Sequence, residues 1–143
     1  MRATLFFLIL ATAAGCSTIA MKDVDPADRS RIFQYPSSEV FAALREYCAD
    51  AEYEIESADS VGGVLQTAYK FYQPEVTFTA RKRFKAELKP RADGTAVYLT
   101  LTDEMKDVKT GRWHPTKMTS GIVSGKHIEI FDGIGAALAR QAR

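Results

Sequence analysis

The chain has 143 residues, 46% of them hydrophobic and 26% charged, which fits one globular domain of modest size. The formal net charge is +1, and Arg2 is the only charged side chain before Cys16, so the chain from Cys16 onward carries 18 basic and 18 acidic side chains. This balance gives no support for long-range attraction to nucleic acid or to anionic lipid.

The first feature in chain order is an uncharged N-terminal stretch. Residues 3–14 read ATLFFLILATAA and follow Arg2, so a short basic segment precedes an apolar run and then small residues. That layout is typical of a secretory signal. About 12 residues are too few to cross a hydrocarbon core of ~30 Å, and the stretch has no polar face to suit a helix of a folded domain. We therefore predict a signal peptide over residues 1–15.

Three small residues, Ala13, Ala14 and Gly15, lead directly into Cys16. In this respect the sequence resembles the lipobox of bacterial lipoproteins, although the family usually has leucine at the position of Ala13. The resemblance implies that the Cys16 thiol takes a diacylglycerol, that the signal is cut just before Cys16, and that the new amino group is acylated. Three acyl chains would make a permanent membrane anchor.

The residue after Cys16 bears on location. It is Ser17, where many lipoproteins retained at the inner membrane have aspartate. The resemblance therefore implies an outer-membrane protein that faces the periplasm, with the inner membrane as the less favoured location. An alternative use of the cysteines is a disulfide between Cys16 and Cys48, which an oxidising compartment permits. That alternative leaves the motif around Cys16 unexplained.

Residues 16–30 are polar and aperiodic, which predicts a flexible tether ahead of a single domain over residues 31–143. The domain opens with a short strand that contains Ile32 and Phe33 and ends at Pro36.

A helix is predicted next, over residues 39–51, with Ser37 or Ser38 as its cap. Apolar side chains recur in it at intervals of three and four residues, and this spacing defines one buried face. The members of that face are Val40, Leu44, Tyr47, Cys48 and Ala51. We expect Cys48 to be a buried side chain that behaves as a small hydrophobe.

Alternation of apolar and polar side chains predicts four further strands, over residues 53–57, 64–72, 76–88 and 97–101. Gly62-Gly63 predicts a turn between the first two strands, and Asp93-Gly94 predicts one between the last two. Lys82 interrupts the apolar row of the third strand. Either Lys82 lies where the apolar face meets water, or a β-bulge shifts the register there. The apolar row consists of Val76, Phe78, Ala80, Phe84, Ala86 and Leu88.

Residues 103–125 are rich in turn formers and predict a loop, with Thr110-Gly111 at the tip of a second hairpin. Ser124 can cap a last helix. Its apolar stripe is Ile128, Phe131, Ile134 and Leu138. Strands joined by short turns favour an antiparallel sheet, and two one-sided helices must cover its apolar face. The predicted fold is an α+β two-layer sandwich with a meander sheet of about five strands and two helices on one face.

The helix segment SSEVFAALREYCADAEYEI follows an aromatic-ended strand and precedes DSVGGVLQT. This pattern resembles the small envelope lipoproteins with a helix-grip domain, which include the domains of the C lipoprotein of the outer-membrane β-barrel assembly machine. The resemblance rests on hydrophobic spacing. It implies a helix-grip-like fold and carries over no functional residue.

The segment RKRFK is the first candidate for an interaction surface. Arg81, Arg83 and Lys85 alternate with the apolar row of their strand, so we expect them on the open face of the sheet. Glu54 and Glu56 are expected on the same face, one or two strands away. One interpretation is a solvated face of complementary charges. The other is a docking patch for an acidic partner or a lipid phosphate.

Trp113, within WHP in the predicted loop, is the second candidate. A tryptophan in a turn-rich loop can anchor an interface, because aromatic side chains dominate interface energies. It can equally cover the edge of the sheet. Three other aromatic side chains are expected to pack within the sheet, namely Tyr69, Phe71 and Tyr72.

The sequence shows no sign of an enzyme. Its only histidines, His114 and His127, have no zinc-ligand spacing, and no serine lies in a G-x-S-x-G motif. We expect no catalytic residue, no metal, no cofactor and no nucleic-acid partner. The predicted function is that of a lipid-anchored periplasmic module that binds an envelope protein. The alternatives are a carrier that holds a small apolar or lipid ligand between helices and sheet, and a structural spacer.

Overall fold

The computed structural model describes residues 18–143 and shows an α+β fold, as predicted. The predicted signal peptide and Cys16 lie outside the described residues. The elements are β1 (Thr18–Ala20), a 3₁₀ helix (Met21–Asp23), β2 (Ser30–Phe33), α1 (Ser37–Asp50), β3 (Ile55–Asp59), β4 (Val64–Thr67), β5 (Lys70–Glu75), β6 (Phe78–Arg91), β7 (Gly94–Lys106), β8 (Trp113–Pro115), β9 (Lys117–Thr119) and α2 (Ser120–Gln141).

The centre of the main sheet is a long antiparallel hairpin of β6 and β7. Its pairing runs without a register shift from Ala80 opposite Met105 to Arg91 opposite Gly94. Because this pairing contains no bulge, Lys82 lies where the apolar face meets water, the first of the two alternatives above.

Two predicted glycine turns are confirmed. Gly63, between β3 and β4, has φ +68°, and Gly94, at the start of β7, has φ +134°. These are backbone conformations that side chains with a Cβ rarely adopt. At Gly94 a Cβ would also overlap the carbonyl oxygen of Phe33 in β2. The absence of a Cβ at Gly94 therefore lets the start of β7 lie directly against the end of β2.

The main sheet within residues 18–143 has seven strands, so the prediction of about five is too low. The hydrogen-bonded order is β2-β7-β6-β4-β3, with β5 also paired to β6 and β8 also paired to β7. β4 and β5 line the same edge of β6 one after the other, and β8 comes from a segment predicted to be loop. A separate two-stranded sheet joins β1 to β9.

A register shift separates β4 from β5. Gln66 of β4 pairs with Lys85, whereas Lys70 of β5 pairs with Lys82. The chain therefore advances four residues from β4 to β5 while β6 advances only three, which is a shift of one residue. A shift of one residue exchanges the two faces of a strand. Phe71 consequently lies on the open face with 61% of its surface exposed, and the prediction that it packs within the sheet is wrong.

Both helices lie on one face of the sheet. The main core joins Leu44 and Cys48 of α1 to Phe131 and Ile134 of α2 and to Phe84 of β6. All five side chains are at most 2% exposed, and burial of each large apolar side chain contributes about 1.5–3 kcal/mol. The predicted burial of Cys48 is confirmed, and burial raises the pKa of its thiol to about 11.

The serine cap predicted for α1 is wrong. The helix begins at Ser37, and Pro36 occupies the cap position without a side-chain hydrogen bond. The Ser37 hydroxyl instead forms a hydrogen bond with the Thr95 hydroxyl of β7 at 3.1 Å. The Ser37 side chain therefore bonds to a distant strand and does not cap the backbone N–H groups of its own helix.

The last helix begins one turn before its predicted start. α2 starts at Ser120, so Ser124 lies inside it and donates a hydrogen bond to Asp28 at 2.9 Å. The earlier start adds Val123 to the buried face. Ile128 is 47% exposed, because the buried face runs through His127 and Ile130 on either side of it, so its predicted place in the stripe is wrong. The other three predicted positions of the stripe are confirmed as buried, namely Phe131, Ile134 and Leu138.

The predicted tether over residues 16–30 is wrong for the part that the structure describes. β1 pairs with β9, and Ala20, Met21 and Val24 are no more than 5% exposed. Met21 and Val24 pack against Val123 of α2 in a second, smaller core. These apolar side chains follow no helical or strand period. Only their contacts with β9 and α2 explain why this segment is folded and not a flexible tether.

The loop predicted over residues 103–125 is largely wrong, because β7 continues to Lys106 and β8, β9 and the start of α2 follow. The hairpin tip at Thr110-Gly111 is confirmed: the Gly111 N–H donates to the Asp107 carbonyl oxygen at 2.8 Å. Val76, predicted to lie within a strand, is 97% exposed in the turn before β6. No helix within residues 18–143 is both long and apolar enough to span a bilayer.

Candidate functional site

The three basic side chains predicted on the open face of β6 do lie there, and each has a carboxylate nearby. The pairs are Arg81 with Glu104 at 2.7 Å, Arg83 with Glu56 at 3.7 Å and Lys85 with Glu87 at 3.4 Å. Glu104 comes from the neighbouring strand β7, and Glu56 comes from β3, on the far side of β4. Glu87 lies on β6 itself, so only the first two pairs connect different strands. The surface is therefore one of balanced charge and not a positive patch.

Trp113 packs against the first of these cations. Its place in β8, at the edge of β7, brings the indole over Arg81, whose guanidinium carbon lies 4.2 Å from the ring centre. The same carbon lies 4.0 Å from the centre of the Tyr69 ring. Phe71 completes the group, and its ring centre lies 6.1 Å from that of Trp113. We call Tyr69, Phe71, Arg81 and Trp113 the aromatic-arginine cluster.

The other predicted surface residues lie at or beyond the margin of this cluster. Arg83 approaches the Tyr69 ring at 4.4 Å. Lys85 is four residues from Arg81 along β6, about 13 Å away in an extended strand. The cluster therefore combines one predicted cation, one predicted aromatic anchor and two aromatic side chains that were expected to pack internally.

A buried polar group lies on the opposite face of the sheet. The side chain of Asp103 in β7 is 1% exposed. The Tyr72 hydroxyl lies 2.8 and 2.9 Å from its two carboxylate oxygens, and Lys126 Nζ of α2 lies 3.4 Å from one of them. A buried carboxylate needs such partners, because desolvation of an unpaired charge is costly. This group joins β5, β7 and α2.

Lys82 borders the same buried group. Its Nζ lies 5.6 Å from the centre of the Tyr72 ring and 5.8 Å from that of Tyr53. Burial, and secondarily the nearby charge of Lys126, lowers the pKa of Lys82. Burial also raises the pKa of Tyr53 to about 12. These shifts follow from packing at the end of the helix layer, where the apolar core gives way to polar side chains.

The space between helices and sheet at this end is small. A cavity of about 30 Å³ is lined by Tyr53, Lys82, Asp103, Lys126 and Glu129, among others. That volume suits a water molecule, whereas small-molecule sites usually measure about 300–1,000 Å³. A groove of about 620 Å³ lies elsewhere, open to solvent at the β7–β8 end. Its lining includes Phe78, Met105, Val108 and His114.

The two histidines lie in different surroundings. His114 is exposed in β8, whereas His127 is fully buried in α2. Nδ1 of His127 lies 2.9 Å from the Val123 carbonyl oxygen, and within the described residues Nε2 has no hydrogen-bond partner. Burial lowers the pKa of His127, so the imidazole is neutral at neutral pH.

The sequence patterns did not predict that Asp103, Tyr72 and Lys126 form a group. One signal was available: Asp103 continues the every-second-residue row of Val97, Leu99 and Leu101, which places it on the helix side of β7. Because Asp103 is charged, the pattern of apolar residues alone did not assign it to this buried face. Lys126 comes from a helical turn predicted to be near the helix start, and no local pattern connects it to β7.

The fold defines a small α+β protein with an antiparallel sheet and two helices on one face. No family model matches the sequence, and no curated protein matches it either. A solved structure of a DUF4468 family protein from Bacteroides ovatus is similar, with a TM-score of 0.46 at 10% sequence identity, over 76% of this chain and 84% of that chain. Similarity at this level transfers neither residues nor function.

Proposed function

We propose that the protein is a lipid-anchored envelope lipoprotein, attached through Cys16 to the outer membrane and facing the periplasm, which binds another envelope protein without catalysing a reaction. The lipobox-like sequence around Cys16 supports the anchor. The observation that carries the binding role is the aromatic-arginine cluster, in which Phe71 is 61% exposed beside Trp113. We further infer a helix-grip-like fold, in which α1 and α2 pack on one face and leave the other open.

The composition of the cluster matches that of interface hot spots. Trp, Tyr and Arg are the residues most enriched there, and large rigid rings bury much area at little conformational cost. Arg81 is already held by Tyr69, Trp113 and Glu104, so little of its freedom remains to be lost on binding. Because the neighbouring cations have carboxylate partners, we expect the partner to offer an apolar pocket for Phe71 in place of a strongly acidic surface.

The carrier alternative is not favoured. It requires ligand-sized space between helices and sheet, and the cavity at the polar end of that interface measures about 30 Å³. Even a single acyl chain needs several times the space of one water molecule.

Replacement of Cys16 tests the anchor. We expect the wild-type chain to incorporate radiolabelled palmitate in bacterial cells and the Cys16→Ala variant to incorporate none, because the thiol is the point of attachment. Cys48→Ala is the matched control and should keep the label, since Cys48 is buried in the core. Palmitate on the Cys16→Ala variant would contradict the anchor.

Photocrosslinking at Phe71 tests the binding surface. With p-benzoylphenylalanine in place of Phe71, we expect one discrete adduct in cells, because this ring projects from the cluster. Val61 is the control position, since it is 98% exposed in the β3–β4 turn, away from the cluster. Trp113→Ala in the Phe71-labelled chain should abolish the adduct while palmitate incorporation persists. The same adduct from Val61, or an adduct unaffected by Trp113→Ala, would contradict the proposal.

A further inference from the structure

The chain enters the folded domain at a defined place. Thr18 of β1 lies opposite Thr119 of β9, directly before α2. Ile19 is half-buried, and the two residues after it are buried, since Ala20 is 5% and Met21 4% exposed. The position of Thr18 relative to the rest of the domain is therefore set by packing.

This position restricts where a lipid on Cys16 can lie. Two residues of chain span at most about 7 Å in any conformation. If Cys16 is lipidated, as proposed above, the attachment point lies close to Thr119 and the first turn of α2. The bilayer must then come near the same end of the domain.

The residues at this end suit a lipid surface. From Lys106 to Lys126, both included, the sequence has five basic side chains and one acidic side chain, Asp107, although the whole chain is almost neutral. One of the five, Lys126, is paired with the buried Asp103, which leaves four. Asp107 accepts hydrogen bonds from two backbone N–H groups of its own turn, at 2.7 and 2.9 Å. Large apolar side chains are exposed here too, since Val108 is 75% and Ile122 53% exposed.

We propose that this end of the domain, which we call the basic end and define as Val108, Lys109, Lys117 and Ile122, lies on the headgroup region of the bilayer that holds the Cys16 lipid. Lys109 and Lys117 are exposed, and Lys117 and Val108 line the same open groove. Lysines attract anionic headgroups, and exposed apolar side chains enter the interface beneath them. The inference rests on the proposed lipid anchor and adds the orientation of the domain.

A fluorescent probe at residue 108 tests this orientation. The lipidated full chain carrying Val108→Cys is labelled with the environment-sensitive dye NBD and reconstituted into vesicles of phosphatidylethanolamine and phosphatidylglycerol. Cys48 stays unlabelled because it is buried with a raised thiol pKa, and the Cys16 sulfur is held in a thioether. Val61→Cys is the matched control, an exposed turn valine beside the Leu88 end of β6, about 33 Å from the Phe78 end.

We expect spin-labelled lipid to quench the dye at residue 108 and to leave the dye at residue 61 unchanged. Flotation with vesicles but no quenching at residue 108 would overturn the orientation and leave the anchor standing. A blue shift at residue 108 without quenching would also overturn it, since a second copy of the chain would then cover Val108. Protein that does not float with vesicles would overturn the anchor and the orientation together.

Discussion

Replacement of Asp103 by alanine is expected to lower the free energy of unfolding by about 3 kcal/mol. The change removes the acceptor of the Tyr72 hydroxyl and the carboxylate that faces Lys126, and its effect is large because the Asp103 side chain is 1% exposed. Asp103→Asn should cost less, since the amide keeps an oxygen that can accept the hydrogen bond from Tyr72. Urea unfolding measured by circular dichroism gives both values.

Glu104→Ala is the matched control for this prediction. Glu104 is adjacent to Asp103 but points to the opposite face, where its partner Arg81 stays in contact with two aromatic rings. A partly exposed pair of this kind contributes at most about 1 kcal/mol. Equal losses from Asp103→Ala and Glu104→Ala would contradict the assignment of the two residues to different faces of β7.

The parts of the fold that sequence predicted correctly are those whose side chains repeat with a clear period. In α1 the apolar spacing over Val40, Leu44 and Cys48 marks the buried face, and that face is buried. The β6–β7 hairpin was also recognisable, because alternation on both strands flanks the Asp93-Gly94 turn. Local propensity and hydrophobic period agree at these positions.

The parts that failed depend on contacts between distant segments. β1 and β9 have three residues each, too few to show alternation, and they pair only because two segments that are far apart in sequence meet in the fold. The β7–β8 hairpin contains few apolar side chains. Asp103 within β7 is a residue type typical of loops, and only its contacts with Tyr72 and Lys126 explain why it is buried in a strand. Such order arises from tertiary packing, which no local window contains.

The candidate surface was half predictable for the same reason. Strand alternation placed Arg81 on the open face correctly. The register shift between β4 and β5, which turns Phe71 outward, leaves no sign in the sequence VLQTAYKFY. Trp113 reaches Arg81 only through the pairing of β8 with β7. The register shift between β4 and β5 and the short edge strand β8 therefore determine which side chains form the cluster.

Gly133→Ala and Gly125→Ala are expected to change stability in opposite directions, although both lie within α2. A Cβ at Gly133 would overlap the ring of Tyr47 in α1, whereas a Cβ at Gly125 meets no atom within 4 Å. Alanine in an exposed helix interior stabilises by about 0.5–1 kcal/mol relative to glycine, so Gly125→Ala should raise the urea midpoint. At Gly133 overpacking costs about 1–3 kcal/mol, which exceeds that gain.

Tyr47 cannot easily move aside to accept the new methyl group at residue 133. Its ring centre lies 6.3 Å from that of Phe84 and 6.4 Å from that of Tyr53, and the side chain is 8% exposed. Gly133→Ala in a Tyr47→Leu background should therefore cost less than in the wild-type chain, because the smaller side chain leaves room for the Cβ. If Gly133→Ala stabilises the wild-type chain as Gly125→Ala does, α1 and α2 do not approach each other at Tyr47, and the close helix layer over the sheet is wrong.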